Sequence, residues 1–189
     1  ATISGHIEGN NDFTGLISAT IRDSRELITC NMNASAAADS AFAFYDYTKY
    51  LFNGSDSIKN GKFNISFAVP MDINYSDKAG IMNFHAVSSD KQMLAHGYCT
   101  NFIVGGTAAV DNDSIGPSIY CYLNSPSFVN GGNVNSTPYF VAQITDANGI
   151  NSTGNGIGHD LQLIIDGDMA KTYTLNDNFV YDFGTYTSG

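Results

Sequence analysis

Positive charge is scarce in this sequence. Eight Lys and Arg stand against 18 Asp and Glu, which gives a formal net charge of -10. A nucleic-acid-binding surface needs a basic patch to meet the phosphates, so this composition excludes nucleic acid as a partner. The same negative charge makes anionic membrane surfaces unfavourable partners.

Long hydrophobic runs are also missing. No apolar stretch approaches the roughly 20 residues that a membrane-spanning helix needs, and no signal peptide leads the chain. We therefore predict no membrane insertion and interpret the chain as a soluble piece of a larger protein.

Cysteine is rare, with only Cys30, Cys99 and Cys121. An odd number of cysteines at wide spacing matches neither a disulfide framework nor a zinc-binding pattern. One alternative is a single bridge from Cys30 to Cys99 across a sandwich. The favoured alternative is three buried and unreactive thiols, because all three cysteines lie in apolar strand patterns.

Charged residues of both signs make up only 14% of the chain, against about 25% in an average soluble protein. Their place is taken by 19 Gly and by many Asn, Ser and Thr, together with 11 Tyr and 12 Phe. Aromatic residues favour the half-buried surfaces of sheets, and Gly, Asn and Ser favour tight turns. The composition therefore predicts β-sheets joined by many turns.

Alternation of apolar and polar residues indicates strands along the chain. In Lys62–Val69 every second side chain is apolar, the Asn60-Gly61 pair before it is a strong turn signal, and Pro70 closes the strand. Helix is suggested only at Ala34–Asp39, which is too short to stand alone. The other predicted strands are Thr2–Glu8, Leu16–Arg22, Phe42–Tyr50, Met82–Ala86, Gln92–Val104, Ile119–Leu123, Tyr139–Thr145, Leu161–Ile165, Thr172–Leu175 and Phe179–Phe183.

Many short strands separated by turn clusters are typical of β-sandwiches. We predict an all-β fold of tandem Ig-like β-sandwiches, residues 1–106 and 107–189. The boundary lies in the small, polar segment 104–117, whose closing Gly-Pro favours a linker. The second unit has room for about five strands where an Ig-like sandwich has about seven. We expect it to be incomplete at its C-terminal end and to expose an unpaired strand edge.

The pair His159-Asp160 follows three glycines and resembles a catalytic dyad at first sight. A hydrolytic triad needs a nucleophile, a base and an orienting group that converge, and no Ser lies in a Gly-x-Ser-x-Gly turn. His6, His85 and His96 show no metal-ligand spacing, and we expect His85 and His96, which lie within predicted strands, to be cross-strand packing residues. We predict a structural role for the glycine segment and no catalytic or cofactor-binding residue in this chain.

Carboxylates cluster in the stretches DND, TDANG and IDGD. Alternating Asp residues can offer oxygen ligands to calcium, which could stiffen a junction between modules. The candidate calcium ligands are Asp111, Asp113 and Asp146, although no stretch matches an EF-hand loop. Asx turns explain the same carboxylates, and both alternatives stay open.

Tyr45, Tyr47 and Tyr50 form a second candidate site. If they lay exposed, their rings could stack on sugars, and the chain would be a free-standing surface adhesin or glycan-binding module. The opposing expectation is that these tyrosines pack, because a strand has two faces and one of them must be buried.

Longer stretches of the chain resemble a known family. In order, they are similar to the region after the catalytic domain in PorU-type signal peptidases, the gingipain-type cysteine peptidases of type IX secretion in Bacteroidetes. The stretches are FNGSDSIKNGKFNISFAVPMDINYSDKAGIMNFHAV (52–87), FIVGGT (102–107), DSIGPSIYCYLN (113–124), NSTGNGIGHDLQLIIDGD (151–168) and TYTLNDNF (172–179).

The resemblance implies that the catalytic His and Cys lie in a caspase-like domain before residue 1, so that this piece is not itself an enzyme. It implies a location on the extracellular face of the outer membrane of a Gram-negative bacterium. There the parent endopeptidase or sortase removes C-terminal secretion signals from cargo and can pass the new terminus to a lipopolysaccharide anchor.

The implied role of these residues is that of a scaffold or a docking region. The expected partners are the upstream peptidase domain of the same chain and an outer-membrane secretion component or cargo protein. The family continues with further strands that include a Gly-x-His-x-Leu stretch. Their absence after Gly189 fits the expected incomplete second sandwich.

Overall fold

The computed structural model describes residues 1–30, 41–107, 115–152 and 160–189. Within these ranges the chain forms strands and two short 3₁₀ turns, Met169–Lys171 and Asn176–Asn178, so the all-β prediction is confirmed. The strands are β1 (Thr2–His6), β2 (Gly15–Arg22), β3 (Glu26–Thr29), β4 (Ala43–Asp46), β5 (Tyr50–Ile58), β6 (Lys62–Ser66), β7 (Lys78–Ala79), β8 (Ile81–Ser88), β9 (Leu94–Cys99), β10 (Ile103–Val104), β11 (Ser118–Leu123), β12 (Phe140–Thr145), β13 (Gln162–Ile164) and β14 (Thr172–Thr174).

One layer of the described structure is an antiparallel sheet of four strands in the order β5-β2-β8-β9. Along the central strand β2, Ile17, Ala19 and Ile21 are buried, and the residues between them face outward. Such alternation is what an antiparallel sheet with one covered face requires. The period-two pattern of the sequence therefore places the core on the inner face of this sheet.

The second layer is the antiparallel pair β1–β6. Phe63 on β6 contacts Phe84 on β8, with 5.4 Å between the ring centroids. Ile65 and Phe67 are buried in the same core, as the alternation predicts. The strand is shorter than predicted and ends at Ser66, although Phe67 continues the inward face.

The predicted Asn-Gly turn is confirmed and carries the chain from one layer to the other. Asn60 and Gly61 have φ values of 50° and 67°, and Lys59 and Lys62 exchange two backbone hydrogen bonds of 3.0 Å. Two consecutive positive φ values are typical of the type I′ hairpin turn. The Gly61 amide also donates to the Phe13 carbonyl at 2.8 Å, which fixes the turn against the rest of the sandwich.

The region from β3 to β5 differs from the prediction. The single strand predicted at Phe42–Tyr50 is divided, because β4 ends at Asp46 and β5 begins at Tyr50. Strands β3 and β5 were not predicted at all. The sequence NGSDS within β5 has low strand propensity, and its pairing with β2 overrides that preference. The helix suggested at Ala34–Asp39 lies outside the described residues.

Two further strand predictions are wrong in detail. Gln92–Val104 contains two strands, β9 and β10, because the chain leaves the four-stranded sheet after Cys99. Phe179–Phe183 is irregular, although it follows the edge of β5, where the Tyr181 amide donates to the Asn53 carbonyl at 3.0 Å.

Residues of the C-terminal part join the core of the first sheet. Tyr181 is 4% exposed and stacks on Phe52 of β5, with 5.0 Å between the ring centroids. Ile144 and Ile150 belong to the same buried cluster. Ser188 pairs with Thr145 at the end of β12. The final segment 181–189 thus connects β5 to β12, while the boundary between residues 106 and 107 stays a prediction.

The first four residues of β11, from Ser118 to Cys121, are exposed on both faces of the strand. The strand pairs with β12 and has no second strand partner among the described residues. The alternation of Ile119, Cys121 and Leu123 predicts a covered face, but Ile119 is 58% exposed. Within the described residues one edge of β11 is thus unpaired, while the incomplete second sandwich stays a prediction.

Candidate functional site

Of the three candidate calcium ligands, Asp146 lies among the described residues. Asp111 and Asp113 lie outside these residues. The carboxylate of Asp146 accepts a hydrogen bond of 2.8 Å from the backbone amide of Asn148. This contact forms an Asx turn. No group of three or more His, Cys, Asp or Glu in the described ranges could hold a metal ion. Calcium binding stays a prediction, and the turn explains Asp146.

His85 and His96 lie in strands β8 and β9, as predicted. The sheet register places them directly opposite each other, with both side chains exposed. His159 lies outside the described residues. Its neighbour Asp160 accepts a 3.4 Å hydrogen bond from the side-chain amide of Gln162. The described part of the glycine segment thus makes a local polar contact at the entry to β13.

The cysteine predictions are wrong on both alternatives. Cys30, Cys99 and Cys121 are free thiols, so the Cys30–Cys99 bridge is not formed. Cys30 and Cys121 are exposed, and Cys99 is half-buried. The physical reason is that alternation marks a covered face only where a second layer lies against it. Cys30, which directly follows β3, and Cys121 on β11 have no such cover among the described residues.

The tyrosine platform is also not formed as predicted. Tyr45 is 63% exposed, but Tyr47 and Tyr50 are half-buried. The guanidinium carbon of Arg22 lies 4.4 Å from the Tyr50 ring centroid, and that of Arg25 lies 5.0 Å from the Tyr47 centroid. These cation–π contacts occupy ring faces that a sugar would need.

A polar cluster fixes the base of the hairpin formed by β3 and β4. Asp23 is fully buried. Its carboxylate accepts hydrogen bonds from the backbone amides of Ser24 at 2.6 Å and Asn74 at 2.7 Å. The Ser24 and Ser76 hydroxyls are 2.7 Å apart. Buried polar groups are tolerated when they are hydrogen-bonded in this way. The cluster ties the end of β2 to the loop at residues 72–77.

An ion pair adds to this base. The Lys49 ammonium lies 2.6 Å from Glu26 Oε1 and also donates to the Asn74 side chain. Burial by itself raises the pKa of the Glu26 carboxyl. Hydrogen bonds from Lys49 and Thr48, with the Lys49 charge, outweigh burial and hold that pKa below its usual value of 4.5. Glu26 is therefore the ionised partner of Lys49 at neutral pH.

Apolar side chains project from this hairpin into solvent. Phe42 is 70% exposed and stacks on Phe44, with 6.0 Å between centroids. Leu27 and Tyr45 lie opposite each other on the other face of the ribbon and are also exposed. We call Leu27, Phe42, Phe44 and Tyr45 the hairpin surface. Grouped exposed apolar side chains mark interaction sites in soluble proteins.

Sequence reasoning missed the hairpin surface. The alternation in Phe42–Tyr50 is visible in the sequence, but nothing local shows that neither face of this strand is covered. The sequence contains one signal that could have found it. Glu26–Thr29 is an apolar pair between polar residues, and this segment forms β3, which pairs with β4 outside the main sheet. The described residues of the hairpin surface are apolar side chains and include no group of His, Cys, Asp or Glu that could hold a metal ion.

No protein-family model matches the chain, and no curated protein sequence matches it. Among solved structures, it matches the crystal structure of dimeric latent PorU from Porphyromonas gingivalis, with a TM-score of 0.53 and 33% sequence identity. The match covers 97% of this chain. The chain is related to a region of PorU.

The similarity to PorU extends over sequence as well as fold, since one residue in three is identical along nearly the whole chain. The resemblance inferred from the sequence motifs is therefore confirmed at this level. The chain spans 18% of the PorU chain. The similarity thus concerns one region of PorU and leaves the activity of the whole protein as a separate question.

Proposed function

We propose that the chain is a non-catalytic β-sandwich region of a PorU-like, gingipain-type cysteine endopeptidase or sortase that processes C-terminal secretion signals of type IX cargo. It acts on the extracellular face of the outer membrane. Its role is that of a scaffold and docking region for the upstream peptidase domain, an outer-membrane secretion component or a cargo protein.

The observation that carries this proposal is the 33% identity to PorU over 97% of the chain. A non-catalytic role is supported by the position of the thiols. Cys30 follows β3, Cys99 ends β9 and Cys121 lies on β11, so the three free thiols belong to three different sheets of the described structure. A cysteine nucleophile needs a base within hydrogen-bond reach.

The hairpin surface supports docking in particular. Its base is held by buried hydrogen bonds and an ion pair, whereas its apolar side chains are open to solvent. A rigid base lowers the entropy lost on association, and exposed aromatic side chains supply the contact area. These are the properties of a preformed protein-binding element.

The non-catalytic role is tested by incubating the purified chain with unstructured peptide substrates under reducing conditions. We expect no cleavage. The three single variants Cys30→Ala, Cys99→Ala and Cys121→Ala identify the thiol if cleavage occurs. Hydrolysis that one of these changes abolishes would overturn the proposed function.

The docking role is tested with the double variant Phe42→Ser/Phe44→Ser in the full-length protein. We expect cargo processing or assembly to fall at least about tenfold, because two hot-spot-type aromatic contacts are lost. The matched control is Tyr139→Ser/Tyr173→Ser, which removes two exposed aromatic rings outside the hairpin. Equal activity of the two double variants would contradict a docking role for the hairpin surface.

A further inference from the structure

A groove lies between the two layers on the side where β1 and β9 form the edges of their sheets. Its volume is about 650 Å³. Its floor is apolar and only partly buried, and it shares no residue with the hairpin surface. The main apolar lining residues are Ile3, Ile7, Phe63, Met82, Phe84 and Ala95.

Two strand edges border this groove without a second partner. Among the described residues, β1 pairs with β6 alone and β9 pairs with β8 alone. Neither Thr2–His6 nor Leu94–Cys99 makes a backbone hydrogen bond to any other described segment. An unpaired edge presents a row of N–H and C=O groups that an extended chain can satisfy. The ligand chemistry that matches both this edge and the apolar floor is an extended peptide.

The available space lies beside β9 and not beside β1. Gly97 is opposite Phe84 in the sheet register, so a side chain at Gly97 would point to the groove side. A Cβ added at Gly97 meets nothing within 4 Å. A Cβ added at Gly5 on β1 would lie 2.3 Å from the Phe63 ring, which already fills that side. An incoming strand therefore has room at the β9 edge.

Charge restricts the occupant further. Among the described residues that line the groove, Glu8 is the only one with a formal charge at neutral pH. Glu8 is therefore the charged group of the described lining that a bound peptide would meet. The chain as a whole carries a charge of -10. An acidic segment is therefore repelled, and an apolar segment with Lys or Arg near Glu8 is complementary.

We propose that this groove binds an extended, apolar, basic-ended peptide segment of a partner protein by adding a strand to the β9 edge. Alternate side chains of the segment enter the space beside Gly97, and its basic end lies near Glu8. Strand addition of this kind obtains affinity from backbone hydrogen bonds and specificity from the pockets for alternate side chains. The inference rests on the docking role proposed above and gives it a partner chemistry.

The test titrates the 189-residue chain with a short synthetic peptide of alternating Val and Thr with Lys at both ends, followed by backbone amide chemical shifts. We expect the largest shifts in β9. The same peptide with Glu at both ends is expected to bind at least about tenfold more weakly. A version with Pro at its centre is expected not to bind, because Pro removes a backbone donor.

The blocking variant is Gly97→Leu, which places a side chain in the space beside Phe84, where an added Cβ meets nothing within 4 Å, and should weaken peptide binding at least about tenfold. Gly116→Leu is the matched control, since a Cβ there also meets nothing within 4 Å and the site is outside the groove. Both variants should keep the melting temperature of the parent chain.

Several results would overturn the inference. They are equal binding by Gly97→Leu and Gly116→Leu, equal binding of the Lys-ended and Glu-ended peptides, and shifts confined to the hairpin surface. Self-association through β9 in sedimentation, without peptide binding, would assign the edge to a second copy instead. Peptide cleavage by the chain would overturn the proposed function and leave this inference standing, so the two failures are distinguishable.

Discussion

Asp23 connects the end of β2 to a loop fifty residues away, and it does so from a fully buried position. Removing its carboxylate in Asp23→Ala leaves the amides of the buried Ser24 and the half-buried Asn74 without this acceptor. We expect the free energy of unfolding to fall by about 2–4 kcal/mol, since each unsatisfied buried group is costly. Urea unfolding measures this change. The exposed Asp12→Ala serves as the control, and a similar loss in both variants would contradict the assigned role of Asp23.

The ion pair of Glu26 with Lys49 makes the stability of the fold depend on pH. The pKa of Glu26 in the folded state is below 4.5, so its ionised form stabilises the fold at higher pH and this contribution is lost as pH falls through that lowered pKa. We expect Glu26→Gln to lower the free energy of unfolding at pH 7 by about 0.5–1 kcal/mol. Partial exposure of the ion pair keeps the effect small.

The difference between Glu26→Gln and the parent chain should begin to shrink below pH 4.5 and should disappear once the pH has fallen through the lowered pKa of the folded state, because the protonated carboxyl then carries no charge. Urea unfolding at a series of pH values measures it. Glu8→Gln, at an exposed site, is the control and should change stability little at any of these values. A pH-independent difference for Glu26→Gln would assign the loss to packing and not to the ion pair with Lys49.

Turns and strands depend on backbone geometry, and the turn between β5 and β6 is the clearest case. Gly61 has a φ of 67°, and a Cβ at this position would lie 2.6 Å from the Asn10 carbonyl oxygen. We expect Gly61→Ala to lower the free energy of unfolding by about 1–3 kcal/mol, through backbone strain and displacement of Asn10. Gly97→Ala, which meets no neighbour, is the control in the same thermal or urea measurement. Equal stability of the two variants would contradict this account of the turn.

Strand β5 shows how neighbouring elements create a strand. Its centre, Asn53 to Ser57, consists of small and polar residues that favour turns. On one side it pairs with β2 from Gly15 to Arg22, and on the other the segment that contains Tyr181 and Gly184 donates backbone hydrogen bonds to it. Both sets of partners are distant in sequence. Backbone pairing on two sides therefore outweighs the local preference of these residues.

For the molecule as a whole, the shared core predicts cooperative unfolding of the early and late parts of the chain. Tyr181 contacts Phe52 and Phe179, each with 5.0 Å between centroids, and its hydroxyl donates to the Ile150 carbonyl. We expect Tyr181→Ala to lower the free energy of unfolding by about 3–5 kcal/mol through the cavity and the lost hydrogen bond. Calorimetry should show one transition that moves to lower temperature.

Hydrogen exchange distinguishes shared from separate unfolding. In Tyr181→Ala, the amides of β8 and β12 should lose protection together, because Ile144 and Ala86 belong to one buried cluster. The exposed Tyr173→Ala should leave both strands protected. Loss of protection in β12 with β8 unchanged would show that the two parts unfold independently.

The strands with alternating apolar residues, β2, β6, β8 and β12, follow from local sequence, because a period of two places every second side chain on one face. The Asn60-Gly61 turn is local in the same sense, since these residues adopt positive φ at little cost. The all-β class and the relation to a region of PorU are visible in the linear order of residues.

The burial of Asp23, the strand β5, the open hairpin surface and the exposure of Cys30 and Cys121 depend on contacts between distant residues. Alternation in a strand indicates that its two faces differ. It does not indicate whether another layer packs against the apolar face. That choice is made when the sheets pack, because burial is a property of the whole packed structure and not of one segment.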